Sequence, residues 1–409
     1  MAHRSPFLTL TLAISSIALV ITLITNPETS FRAAVEGLKI WWEVVFPALL
    51  PFIVVSEILM GVGVVHFVGV LLEPLMRPFF NVPGTGGFVL TMGFSSGYPV
   101  AAKLTTSLRE QGNITRAEGE RLVTFTTTGD PLFVIGAVAV GFFHSEQLGY
   151  ILAITHYSSA ILLGILYRFY STEAPSTRQL KKDDNPVIYR ALQAMHRARL
   201  KDHRPFGKLM GDAVSSALQT LFMVGGFIIV FSVMLQLLSE VKVTDALSHF
   251  LAVFLMPFGF PTSFSKALIA GLFEVTLGAQ TASEVTGQVS MMWKAAVASA
   301  ILSWGGLSVH AQVASILSKT DIKVGPYLIG RGIHAFLSAF LTILLWKPLE
   351  HFTQTASAAL PVFYTNKHLP PVHTWLYHIS HSAFTVGIIA IVLLILYVTL
   401  KRIPSRIIK

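Results

Sequence analysis

Asp130 closes the run Thr126-Thr127-Thr128-Gly129-Asp130-Pro131, deep inside an apolar window from Leu122 to Phe143. A carboxylate at membrane depth costs about 2.5 to 3.5 kcal/mol on translocon scales, so such residues are normally kept for function. Just ahead of a proline at the first helical position, it also stands where a helix N-cap belongs. Asp130 is therefore a cap, or a cap that also meets a substrate or coupling ion. A second interruption, Met92-Gly93-Phe94-Ser95-Ser96-Gly97-Tyr98-Pro99, sets two glycines and a proline where the hydrogen-bond ladder must break, and Ser95 and Ser96 can donate to a ligand. The later part of the chain offers counterparts: Glu274-Val275-Thr276-Leu277-Gly278-Ala279-Gln280-Thr281 for the second break, and Ser303 to Gln312 for the first, with Ser308, His310 and Gln312 but no carboxylate. Glu57 follows Pro47 and Pro51, which should kink its helix; it is either a proton carrier or a partner for a neighbouring helix.

The substrate-binding set read this way is Ser95, Ser96, Gly97, Tyr98, Thr127, Thr128, Gly129, Thr276, Gly278, Gln280, Ser308 and His310, with Asp130 and Glu57 as coupling-ion candidates. Lys103 could face an anion, but snorkelling to the membrane surface is its plainer role. Other chemistries find little support. The chain has no cysteine, which removes disulfides, thiolate nucleophiles and thiolate metal sites. It has no Gly-x-Ser-x-Gly elbow, no His-Glu-x-x-His pair and no Walker A loop, so no enzyme is expected. For a hydrolase built on Asp130, or on Ser308 with His310, only residue type speaks. His351, His368, His373, His378 and His381 match no compact metal motif and have no acid among them between His351 and His381, so neither metal nor cofactor is expected.

The elements that must position these residues belong to a membrane. The 409 residues are 53% hydrophobic and 12% charged, where soluble domains carry about 25% charged residues. Apolar windows at Phe7–Thr25, Trp41–Met60, Leu122–Phe143, Gly149–Tyr167, Ala213–Leu238, Trp293–Leu317, Ile333–Trp346 and Phe384–Leu400 give about eight transmembrane helices. The first is read as an uncleaved span, since no small-residue cleavage pattern follows Asn26-Pro27. The stretches at 84–102 and 263–282 are interrupted midway and suit re-entrant hairpins. The net charge of +9 belongs to cytoplasmic loops and anionic lipid; no nucleic acid is expected. Basic residues gather in Arg168–Lys208, in Lys103–Arg121, at Lys319, Lys323 and Arg331, and in the tail from Lys401. The opposite-side loops, Asn26–Ile40, His144–Leu148, Ser239–Thr262 and His351–His381, hold few, which puts both termini in the cytoplasm.

This layout defines an all-α polytopic membrane protein with inverted-topology repeats. An N-terminal helix and outer loop (1–40) precede repeat 1 (41–170). A cytoplasmic basic linker (171–208) leads to repeat 2 (209–350), and an outer loop, last helix and basic tail (351–409) finish the chain. The two repeats share one order of elements but begin on opposite sides. The linker is read as a tether in which Val187 to Lys201 could form a basic interfacial helix.

In combination, Phe46-Pro47-Ala48-Leu49-Leu50-Pro51-Phe52, Gly69-Val70-Leu71-Leu72-Glu73-Pro74-Leu75-Met76-Arg77-Pro78, Gly93 to Pro99 and Thr128-Gly129-Asp130-Pro131-Leu132-Phe133 resemble the YlbJ (SpoVV) family of sporulation integral membrane proteins. The likeness runs from Trp41 to Trp346. What it implies is a nucleoside-recognition gate domain in each repeat, similar to those of concentrative nucleoside transporters, and transport of dipicolinic acid across the outer forespore membrane toward the spore. Half-helix N-termini could hold the two carboxylates of dipicolinate, with Ser95, Ser96, Thr276 and Gln280 as side-chain donors. Beside a dianion Asp130 would carry a coupling proton or Na+, or simply cap its helix. The partners so implied are dipicolinate, the lipid bilayer and a coupling proton or Na+; the sequence also allows a homo-oligomer. The rival readings are a nucleoside or nucleobase carrier, and a membrane scaffold recruiting a separate channel.

Overall fold

The computed structural model describes residues 6–177, 186–287 and 289–359, and every regular element among them is a helix. Residues 1–350 form one unit and 351–409 a second, described only over 351–359, where it is helical. The expected last span at Phe384–Leu400 and the histidines from His368 to His381 lie outside the described residues. In chain order the helices are α1 (Pro6–Thr25), α2 (Pro27–Ile40), α3 (Phe46–Val62), α4 (Val64–Phe80), α5 (Gly86–Ser96), α6 (Tyr98–Glu110) and α7 (Arg116–Thr126). A π-helical segment (Leu132–Phe142) and α8 (Glu146–Tyr167) follow. After α9 (Val187–Asp202) come α10 (Phe206–Glu240), α11 (Val243–Leu255), α12 (Ser265–Phe273), α13 (Val275–Glu284), α14 (Met291–Trp304), α15 (Gly306–Leu317) and α16 (Val324–Ala359).

Among the described residues, five stretches are long and apolar enough to cross a membrane: Pro27–Val62, Glu146–Tyr167, Phe206–Glu240, Met291–Leu317 and Val324–Thr353. α16 gives the physical reason to place them there. Its Ile329, Phe336, Phe340 and Leu344 point outward, while Arg331, His334, Ser338 and Thr342 are fully buried. Water would select the reverse, and lipid selects this. The chain is an all-α polytopic membrane protein.

One order of elements occurs twice. A long helix (α3, then α10) is followed by a short amphipathic one (α4, then α11), a helical hairpin (α5–α6, then α12–α13), a broken helix (α7 with the π-helical segment, then α14–α15) and a last helix (α8, then α16). Glycine sets the closeness of the second hairpin. A Cβ on Gly278 would lie 2.2 Å from Gly271 Cα, so α12 and α13 touch backbone to backbone.

Three segments read as loops are helical. In Asn26–Ile40, charges at Glu28, Arg32 and Glu36 mask an amphipathic helix whose Ser30, Ala33, Gly37 and Ile40 are buried; Ser232 Oγ donates to Ala33 O at 2.9 Å. Lys103–Arg121 holds the end of α6 and a capping box at the start of α7, with Thr115 and Glu118 closing on each other's backbone. Arg121, read there as a topogenic loop charge, is buried and donates to Asn81 O, Tyr170 O and Ser171 O at 2.8 to 2.9 Å. Ser239–Thr262 contains α11. The charges there serve the helices themselves: Glu28 with Arg32 and Lys242 with Asp245 as ion pairs, Glu118 in a capping box and Arg121 on carbonyls.

The linker is more than a tether. α9 packs on α4, with Arg190 paired to Glu73 and Met195 O lying 2.5 Å from where a Gly63 Cβ would be. At the end of α6, Arg109 grips Asp321 through two 2.8 Å bonds, which hold the Asp321 carboxyl below its usual range. Gly278→Ala is expected to lower the unfolding midpoint in detergent, by about 1–3 kcal/mol of overpacking. Gly226→Ala, where a Cβ meets nothing within 4 Å, should leave the midpoint in place; tryptophan scanning fluorimetry compares the two.

Candidate functional site

Four helices begin at interruptions of the chain, and they meet around one cavity of about 180 Å³. α6 starts after Gly97, the π-helical segment after Asp130-Pro131, α13 after Glu274 and α15 after Gly305. A helix start leaves N–H groups without intrahelical partners, and in a membrane interior each must be met. Two starts are closed by carboxylates. Asp130 Oδ1 accepts from Leu132 N at 3.0 Å and Phe133 N at 2.9 Å. Glu274 Oε2 accepts from Leu277 N at 2.8 Å, and its Oε1 from Thr276 Oγ1 at 3.2 Å. The other two starts carry glycine with φ of 82° at Gly97 and 90° at Gly305, and no side chain caps them. A side chain at Gly97 would meet Asp130 Oδ2 at 3.1 Å, so this close approach needs glycine as much as the φ does.

The breaks are also tied to one another. Tyr98 OH, at the first hairpin tip, donates to Leu302 O at 2.6 Å. Tyr157 OH donates to Gly129 O at 2.8 Å. Arg331, fully buried, donates through one amino group to Thr127 O and through the other to Ser303 O, and its guanidinium lies 5.9 Å from the centre of the Tyr98 ring. One side chain thus closes the carbonyl ends of both broken helices.

A model of the Gate family, described as "Nucleoside recognition", matches residues 42–173. The chain is 51% identical over 342 residues to the sporulation integral membrane protein YlbJ of Bacillus subtilis (strain 168), covering 83% of each. It belongs to the YlbJ family. In fold it is similar to the concentrative nucleoside transporter CNTnw in an inward-facing substrate-bound state, with a TM-score of 0.52 at 12% identity, over 83% of this chain and 87% of that one.

In this YlbJ-family chain the cavity is lined by Glu57, Ser95, Ser96, Gly97, Tyr98, Asp130, Thr276 and Ser308 of the residues expected from sequence. Ser95 Oγ turns back to Met92 O, whereas Ser96 Oγ has no partner among the described residues. Glu57 Oε1 accepts from Ser216 Oγ at 2.9 Å, and its helix continues through Pro51 with a π-helical turn, Trp41–Val45, just before it. Thr127 and Gly129 are one layer back, giving their carbonyls to Arg331 and Tyr157, and Thr128 is buried beside them.

Three expected residues fall elsewhere. Gly278 packs against Gly271, Gln280 donates outward to Glu284 at 2.8 Å, and His310 Nδ1 pairs with Tyr327 OH at 3.1 Å under the Trp304 ring. Lys103 is exposed and does not line the cavity. Each was chosen for residue type near a break, which does not say which way a side chain turns.

Sequence reading assigned Arg331 to a cytoplasmic loop with Lys319 and Lys323, because it lies before the apolar run that starts at Ile333. The helix instead begins at Val324 and carries Arg331 inward. Its signal was the spacing of Arg331, His334, Ser338 and Thr342 on one face. Glu274, at the tip of the second hairpin, caps its helix start as Asp130 caps that of the first broken helix. Arg331→Met leaves two buried carbonyls without donors, at about 1–3 kcal/mol each. It should unfold at a clearly lower temperature than wild type, with Arg331→Lys between them, measured in the same detergent.

Proposed function

We propose that this chain carries a small polar solute across the membrane by alternating access around the cavity between its broken helices. The observation that carries the reading is the meeting of four half-helix starts, two from each half, around one cavity inside a polytopic membrane protein. Backbone N–H groups at such starts bind carboxylate oxygens without a buried counter-charge. The two hairpins act as re-entrant elements, and the halves are inserted upside down relative to each other. Basic residues at Arg168–Lys208 and the tail keep both termini cytoplasmic.

The solute favoured by family membership is dipicolinate, moved across the outer forespore membrane toward the developing spore. Ser96 and the uncapped start of α6 are its donors. Among the described residues the lining holds Glu57, Asp130 and Glu274 and no lysine, arginine or histidine. A dianion beside three carboxylates is repelled, so the diacid travels with its charge compensated, and uptake follows a proton gradient. The second reading is a neutral nucleoside, favoured by those same carboxylates as acceptors for hydroxyl groups.

Purified protein in liposomes should take up labelled dipicolinate, faster with an inward proton gradient, and unlabelled dipicolinate should compete while uridine should not. Competition by uridine alone would replace the substrate with a nucleoside. No flux of either would leave the chain as a scaffold for a separate channel. Ser96→Ala should raise KM by about 10- to 100-fold, the worth of a hydrogen bond to a charged group, with little change in kcat. Asp130→Asn keeps a good N-cap, so uptake should stay within about threefold of wild type with the same pH profile; a flattened profile would return the coupling role to Asp130.

A further inference from the structure

The inward face of α16 makes a polar seam that none of the preceding roles uses. His334 Nε2 lies 3.1 Å from His156 O, Ser338 Oγ pairs with Ser299 Oγ, and Thr342 Oγ1 donates to Thr155 Oγ1 at 3.0 Å. His156 Nδ1 lies 2.9 Å from Ser303 Oγ, and the His156 and His334 rings are 5.0 Å apart. The seam joins α8, α14 and α16, and all these side chains are buried.

A carbonyl only accepts, so the neutral His334 ring must carry its proton on Nε2 and present a bare lone pair at Nδ1. Among the described residues neither His334 Nδ1 nor His156 Nε2 has a partner, and both rings have no exposed surface. Buried polar atoms are rarely left so, and their cost is ordinarily kept only for a purpose. The charged and titratable groups facing the pair are Arg331 on α16, three residues from His334, and Tyr157 beside His156, with Tyr98 under the guanidinium. Among the described residues no carboxylate bonds to either ring.

We infer that the His156–His334 pair is the proton-binding site of this carrier, and that Arg331 converts its protonation into movement of the two breaks. The inference rests on the transport reading for its purpose. A proton from water, taken at His334 Nδ1 or shared with His156 Nε2, would set a second unpaired cation beside Arg331. Ser303 links the two: its hydroxyl meets His156 and its carbonyl meets Arg331. Protonation and the grip of Arg331 on Thr127 O and Ser303 O therefore exclude each other. Acid favours the state in which the carbonyl ends have moved away from the guanidinium. Asp130 and Glu274 each already use one oxygen to cap a helix start, whereas His334 Nδ1 and His156 Nε2 serve no cap.

The natural chain has no cysteine, so a single one reports on the cavity. Full-length Ser96→Cys protein in nanodiscs is labelled with a maleimide from about pH 5 to 8. Its rate is divided by that of Gln111→Cys, an exposed position, to remove the chemistry of the thiol itself. The ratio should change with acidification by about fivefold or more, the low end of ordinary coupling. It should become flat in His334→Gln, whose amide can still donate to His156 O, and in His156→Gln, while Asp130→Asn leaves it unchanged. A flat ratio in the parent protein, or a profile that survives both histidine changes or is lost in Asp130→Asn, overturns the inference. Absence of solute flux in liposomes while the histidine-dependent profile persists would remove the transport reading and leave the proton site.

Discussion

A broken helix inside a membrane exposes backbone groups that lipid cannot satisfy, and the centre of this protein is built around that debt. Most ends have a named partner: Asp130 and Glu274 close two helix starts, Arg331 closes the carbonyl ends of both broken helices, and Tyr98 and Tyr157 reach carbonyls in other segments, while the glycine starts of α6 and α15 stay uncapped by side chains. The partners differ in rigidity. A guanidinium with two acceptors in different halves fixes their relative position, whereas a hydroxyl bond is lost at small cost. Arg331 is thus the member of the set whose rearrangement must accompany any movement between the halves.

Position in the chain explains what sequence could reveal. The breaks were legible because glycine and proline inside apolar runs have a direct backbone meaning, and Gly97, Asp130, Glu274 and Gly305 all stand where helices stop and restart. The all-α membrane class was legible from composition. The direction of side chains at the breaks was not: Gly278 and Gln280 lie about one and nearly two helical turns past a real break, and the helix carries them away from the cavity. Arg331 was hidden by the rule that basic residues flanking an apolar run mark the cytoplasmic face. That rule treats a charge as solvated, and this one is paid for by two carbonyls. Arg121 and Glu118 escaped for the same reason, since caps and loops share residue types.

The electrostatics of the cavity follow from how its acids are used. Three carboxylates line the space, but two are bonded to the helix starts they cap. Each of the four starts carries about half an elementary positive charge, and Arg331 adds a full one a layer behind Tyr98. These contributions come close to cancelling the carboxylates, leaving a site of small net charge with strong local dipoles. Such a site binds a solute that presents both donors and acceptors and arrives nearly neutral. A dicarboxylic acid meets that condition only with its protons or another compensating charge. The histidine pair behind Arg331 does not line that space, so the proton site inferred for it would stand clear of a bound solute.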